Sequence, residues 1–495
     1  MDPTPPHERV WTMLSFISLW VSDAFNTATW ELASASIAIG LGWKQALPAV
    51  ALGHFLIALV ITANGTIGAR LHVPFPVLNR SSFGFWFSYF TVISRVVLAM
   101  FWFAIQTFTG SECVYQMIKA IWPSFAHWPN RLPASANITS AGLLSYFIFW
   151  LIQFPFLLVS PQKVRWLFTV KAALVPVTFI AMMAWAFSRT GGGPLFDQRS
   201  RLHGSALSWA WLGALNSALG NYATLAVNIP DFTRYARKPS DQYVQVVIIP
   251  ILFTFAAFIG IVVTSAGNVL YGSYIWDPLR LIDRWDNRAA AFFASFSFAL
   301  ATLGTNISAN SISAANDFTA LAPKYINIRR GQIICAIIGG WALCPWKILA
   351  HAIGFLTFMA GYTVVLAPIC AVMVTDYWAV KKRHVDIPSL YRPDGRYAYW
   401  NGLNWRAALA LLCTVPLGLP GLISTINPAI NVGSGGNHLF SISYIMEFVV
   451  AGAVYYCVSA LFPARESMVS QTIYSIEEAS SPGEHEDDEQ KVSGV

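Results

Sequence analysis

The sequence predicts an all-α integral membrane protein of twelve transmembrane helices, with the first and sixth broken at mid-membrane. Three observations predict it. Of 495 residues, 56% are apolar and 11% charged, whereas soluble domains carry roughly a quarter charged residues, so the chain lacks the charge to cover a water-facing surface. Apolar runs of the roughly 20 residues needed to cross a hydrocarbon core recur along nearly the whole chain. Two of these runs, with four others between them, are dense in polar residues.

The runs fall near 12–41, 45–70, 83–121, 139–159, 163–188, 206–235, 242–272, 289–323, 331–350, 351–379, 404–425 and 440–463. Several exceed one crossing, which implies tilt or a break. Twelve crossings put both termini on one side. Lys and Arg outnumber those of the opposite side by about two to one there, the bias of a cytoplasmic face. The expectation is therefore a multi-pass plasma-membrane protein with both termini cytoplasmic. It places the sequon Asn137-Ile138-Thr139 outside. The opening residues are polar and the first run is too long for a signal core, so no cleavable leader is expected. The net charge of +7 comes from basic residues in short loops, a topology signal and not a nucleic-acid surface. The six cysteines lie in or beside apolar runs without a CxxC pair and read as core thiols. From Arg465 onward the chain is rich in Ser and ends in Glu484, Glu486, Asp487, Asp488 and Glu489. It reads as a disordered cytoplasmic tail, either a solvated end or a handle for trafficking or ubiquitin machinery.

Polar groups at bilayer depth are costly and need a reason. The first run holds VSDAFNTATWE, with Ser22, Asp23, Asn26 and Thr27, and the sixth holds Asn216, Ser217, Gly220, Asn221 and Thr224. Each begins a group of five helices. Transporters built from two inverted five-helix repeats break the first helix of each repeat, freeing backbone groups to hold substrate and ion. The alternative is two polar helices hydrogen-bonded inside a bundle. The eighth run carries Thr305, Asn306, Asn310 and Asp317, with Asn306 and Asn310 one turn apart. Its hydroxyls suit a sodium ion, or else make a small-residue packing face. Trp102 and Gln106, also one turn apart, offer a stacking face and an amide for a flat heterocycle.

Four stretches carry a resemblance over nearly the whole chain: FWFAIQTFTG around Trp102, NYATLAVNIPDFTRYA around Tyr222, LATLGTNISANSISAANDFTALAP around Asn310, and the segment from Asp376 to Trp405. With NTATWELAS and VLNRSSFG they make the chain resemble the nucleobase–cation symporter family, in particular its fungal uracil/allantoin branch. The resemblance implies a LeuT-like fold: a ten-helix core over 12–379, with inverted repeats about 12–188 and 206–379, and two peripheral helices over 404–463. A short segment 1–11, a basic loop 380–403 and the tail 464–495 complete the chain. It also implies a substrate held between Trp102 and Tyr222 and read by Gln106, Asn310 and Asn26, with Asn221 and Asn306 nearby. An amide donates and accepts at once, which suits the alternating edge of uracil, allantoin or uric acid.

The family's sodium site maps here onto Ser22, Phe25, Ala301, Gly304 and Thr305, and Gly304 brings no side-chain oxygen. Losing that ligand while keeping Asp23 and Asp317 in the membrane favours a proton as coupling ion over sodium, with either carboxylate as carrier. Asp317 is alternatively a structural partner of Lys324, Arg329 or Lys171. No other cofactor is expected. Thiamine, nucleoside or cytosine–purine transport is the alternative within the family. An enzyme is disfavoured because no HExxH, phosphate-binding Gly loop or Ser–His–Asp set is present, and His54 and His351 stand isolated in the sequence. A channel is disfavoured because no selectivity-filter sequence is present.

Overall fold

The computed structural model describes residues 1–159 and 161–475, with the side chains of 161–166 and 168 excepted. Nine helices among the described residues are long and apolar enough to cross a membrane, from Trp43–Leu71 to Ser443–Leu461. The other three of the twelve spans are interrupted or short, and length alone misses them for that reason.

The first span is two helices, Met13–Ala24 and Thr27–Ala38. Ser, Asp, Asn and Thr side chains compete with the helical ladder for backbone partners, and four of them crowd residues 22–27. Asn26 leaves helical geometry and caps the second half, its Oδ1 accepting from Thr29 N at 2.8 Å. The second half is buried along all its faces from Thr27 to Ile37, so its polar residues meet other helices and no lipid. The sixth span runs Gly204–Asn221, breaks at Tyr222 (φ −121°, ψ 14°) and resumes over Ala223–Asn228.

The ninth span departs from the expected 331–350. It runs through Ile328–Ile334 and a widened π turn at Cys335–Gly339, and Pro345–Ile348 forms a separate short helix. Pro345 carries no N–H to continue a ladder. The tenth span, Ala352–Gly361 and Thr363–Thr375, ends in a π turn at Asp376–Val380. The third span, Ser88–Ile121, packs along the eighth and fourth, and the second packs along the sixth and seventh. The peripheral helices Trp405–Ile426 and Ser443–Leu461 pack on the tenth.

Both terminal segments lie on one face. Thr4 N donates to His72 O at 2.8 Å and Trp11 N to Tyr235 O at 2.8 Å. Tyr391 Oη donates to Met1 O at 2.9 Å. The C-terminal segment is not disordered from Arg465: Ile473 pairs with the 380–403 loop, through Ile387 N to Ile473 O at 3.0 Å and Ile473 N to Val385 O at 3.1 Å. Backbone hydrogen bonds to an ordered loop outweigh the segment's polar composition as far as Ser475. The acidic residues from Glu484 lie outside the described residues. The loop itself is anchored by Asp376, whose Oδ2 takes Lys381 Nζ at 2.7 Å and Ser82 Oγ at 2.9 Å, while Oδ1 takes Tyr455 Oη at 2.8 Å. The cysteines are all free, but only Cys113, Cys335 and Cys370 are buried; Cys413 and Cys457 are exposed on the outward side of the peripheral helices, and Cys344 in the non-helical link before Pro345.

Candidate functional site

The two breaks face each other, and a tyrosine hydroxyl closes each one. Interrupting a helix frees carbonyls that must find donors in a dry interior. At the first break, Asp23 O accepts from Tyr222 Oη at 2.9 Å and from Asn26 Nδ2 at 2.5 Å. At the sixth-span break, Gly220 O accepts from Tyr362 Oη at 2.6 Å. Gly220 itself is demanded by packing, since a Cβ there would collide with Met359 O. Tyr222 is therefore part of the wall as well as a ring face; it packs edge-on against Trp20 and Phe253, with centroids 5.4 and 4.6 Å away.

Between the breaks lies a narrow cavity lined by Asp23, Asn26, Ala28, Trp102, Gln106, Asn221, Tyr222, Thr224, Leu225, Thr305, Ala309 and Asn310. The centre of a water-sized molecule can range over about 40 Å³ of it. Trp102 forms one wall and is propped edge-on by Phe358 at 5.4 Å. Gln106 Oε1 is buried without a hydrogen-bond partner among the described residues. A buried orphan acceptor is expensive, and Gln106 is one of the residues that line the cavity. Asn310 is held from behind, its Nδ2 donating to Asn306 Oδ1 at 3.0 Å.

The sequence profile of a permease family for cytosine/purines, uracil, thiamine and allantoin matches residues 3–446. The chain belongs to that permease family. It is a multi-pass membrane transporter and not an enzyme. The permease is 36% identical over 483 residues to an allantoin permease of Saccharomyces cerevisiae, covering 94% of this chain and 75% of that one. It is 36% identical over 493 residues to that organism's uracil permease, covering 96% and 77%. Its fold matches the inward-facing conformation of Mhp1 with a TM-score of 0.73 at 20% identity, covering 94% of each chain. The match to Mhp1 closed on bromovinylhydantoin has a TM-score of 0.71 at 19% identity, covering 96% and 97%. The architecture is thus the LeuT-like one: two inverted repeats with broken first and sixth spans, plus two peripheral helices.

Not every residue singled out in the permease's sequence faces the cavity. Asn306 is fully buried behind it. Its Nδ2 is shared among Phe103 O, Thr107 Oγ1 and Gln153 Oε1 at 2.9–3.2 Å, so it orients Asn310. Asn26 lines the cavity, but its Oδ1 caps a helix and its Nδ2 serves Asp23 O and Tyr222 Oη. Asp317 is not among the lining residues. It pairs with Arg95 of the third span, and not with Lys324, Arg329 or Lys171. The inter-helix approach selects the nearest guanidinium.

Two of the residues expected to hold sodium, Gly304 and Thr305, contact a lysine. Lys171 Nζ donates to Thr305 Oγ1 at 2.6 Å and lies 3.9 Å from Asp23 Oδ1, with Lys171 about 1% exposed. The absent side chain of Gly304 makes room for it, because a Cβ there would sit 2.8 Å from Lys171 Cδ. Lys171 and His54 belong to this region in addition to the residues expected from the sequence. His54 is not isolated: it reaches Asn221 and packs against Tyr222 and Phe253. A buried cation in an apolar helix was the available signal for Lys171; nothing local marked His54.

Proposed function

We propose that the permease imports a flat nucleobase-like solute by proton-coupled symport with alternating access, uracil and allantoin being the first candidates and uric acid the next. One observation carries the reading: a cavity at two facing helix breaks, narrow enough for one small ring, walled by Trp102 and Tyr222 and lined by the amides of Gln106, Asn221 and Asn310. Stacking holds the ring while Gln106, Asn310 and Asn221 read its polar edge. A ring lacking those edge groups leaves buried amides unpaired and is rejected. The sequence relatives that act on uracil and allantoin support this substrate class.

A proton is favoured as coupling ion by the position of Lys171. Its ammonium bonds Thr305 and its stem packs against Gly304, two of the five positions expected to hold sodium, and a positive charge there repels a second cation. Asp23 then carries the proton: ionised, it attracts Lys171; neutral, it releases it. Asp317 is set aside as carrier because Arg95 neutralises it in place. Placement in the plasma membrane with cytoplasmic termini rests on the Lys/Arg bias and on the two terminal segments sharing a face.

The test is radiolabelled uracil uptake in cells lacking their own permeases, competed by ring compounds, and then in vesicles with imposed gradients. Saturable uptake competed by allantoin and driven by an inward proton gradient without sodium is expected. Uptake that needs sodium and ignores pH overturns the coupling ion alone. Indifference to uracil and allantoin, with uptake of uridine, thiamine or cytosine, overturns the substrate.

A further inference from the structure

His54, on the second span behind the cavity, is fully buried and stacked on Phe253 with centroids 4.8 Å apart and planes 15° apart. Its ring has two polar contacts among the described residues. Nδ1 lies 2.8 Å from Val50 O, and Nε2 lies 3.3 Å from Asn221 Nδ2. A carbonyl oxygen only accepts, so Nδ1 carries the hydrogen. A ring protonated on both nitrogens would be a buried charge without a counter-ion, so Nε2 carries a lone pair and accepts from the Asn221 amide.

We infer that His54 fixes which end of the Asn221 amide the substrate meets. With the NH₂ held by Nε2, the group left for the cavity is Oδ1, an acceptor with no other hydrogen bond among the described residues. The permease therefore selects, at this point of its wall, a ring that presents an N–H. Gln106 lines the same cavity with an amide of its own, so the site suits a ring with an N–H edge, a cyclic imide or ureide. His54 is a positioning residue: it touches Asn221 and not the solute. The inference rests on the cavity being the substrate site.

The experiment measures uracil KM and maximal uptake, with competition by 1-methyluracil and 3-methyluracil, in His54→Phe and His54→Gln. Phe keeps the stack and removes the acceptor; Gln reaches about as far as Nε2 and restores one. His54→Phe is expected to raise the uracil KM about tenfold, the equivalent of about 1.4 kcal/mol or one hydrogen bond, with maximal uptake within about twofold. The preference for uracil over the worse methylated competitor should shrink by the same factor, and His54→Gln should recover both. Unchanged KM and preference in His54→Phe overturns the inference, as does a Gln variant that behaves like Phe. Should Phe not reach the cell surface, His54→Met removes the acceptor with a flexible chain. Failure of Phe and Met to reach the surface while Gln does assigns His54 a packing role only and also overturns it. Failure of the site reading looks different: Trp102→Ala then leaves uracil KM unmoved in wild-type His54 protein.

Discussion

Two carboxylates of the transmembrane core, Asp317 and Asp23, face buried cations in opposite ways. Asp317 pairs directly with Arg95, both are at most 1% exposed, and Arg95 Nη2 also donates to Ser313 O at 2.6 Å. Asp23 stands beside the helix break and the cavity, with Lys171 Nζ at 3.9 Å, beyond hydrogen-bond range. Lys171 spends its short bond on Thr305 instead. The charges are the same, but the consequence differs. A buried pair in contact is a strut whose separation is prohibitive. A buried pair held just apart, beside a break, can close or open as a proton or a substrate arrives. Arg against Lys fits this division: the planar guanidinium locks two partners at once, and the ammonium on its flexible stem can change partner.

The comparison can be broken in four ways, in order of expected effect. Arg95→Met should be the most damaging, because it leaves Asp317 buried and uncompensated at a cost of roughly 3–5 kcal/mol. Thermal unfolding in detergent should show a large loss, and adding Asp317→Asn should restore most of it. Lys171→Met should leave a folded protein that equilibrates uracil but no longer concentrates it. The link between pH and substrate binding is worth roughly 1–3 kcal/mol in coupled systems, so the pH dependence of KM should flatten by about 5- to 150-fold; an unaltered pH profile removes Lys171 from coupling. Trp102→Ala should weaken uptake more than Trp102→Phe. The difference should be about two- to tenfold in KM, the worth of an aromatic face contact at roughly 0.5–1.5 kcal/mol. Equal values argue against stacking. Gly304→Ser should have the smallest effect, a few-fold rise in KM at unchanged expression, because the new Cβ meets only the flexible Lys171 chain at 2.8 Å. No effect would show that the lysine sits there without consequence.

Much of the site was legible in particular residues. Ser22, Asp23, Asn26 and Thr27 in one apolar run announce a break, because those side chains compete with a helical ladder wherever they are placed. Gly220 and Asn221 do the same for the sixth span. Trp102 and Gln106, one turn apart, meet the same cavity. Asn306 and Asn310 were harder. Their spacing puts them on one face of a regular helix, but a π turn over Asn306–Ile312 widens the winding there, and Asn306 points to the third and fourth spans. The ninth span is shorter than its hydropathy implies for a similar reason: apolar residues continue past the π turn at Cys335–Gly339 to the separate helix at Pro345. The tail from Arg465 to Ser475 has a composition suited to disorder, and its order comes from backbone bonds to a loop about ninety residues earlier.

Composition and local chemistry by themselves determined the membrane class, the number of spans and the places where two helices break, because desolvation cost and helix propensity act on a few neighbouring residues. Tertiary structure alone decided that Arg95 takes Asp317, that Lys171 meets Thr305 and Gly304, and that His54 turns the Asn221 amide. Those pairings depend on which helices approach within about 3–4 Å, a distance no periodicity along the chain encodes.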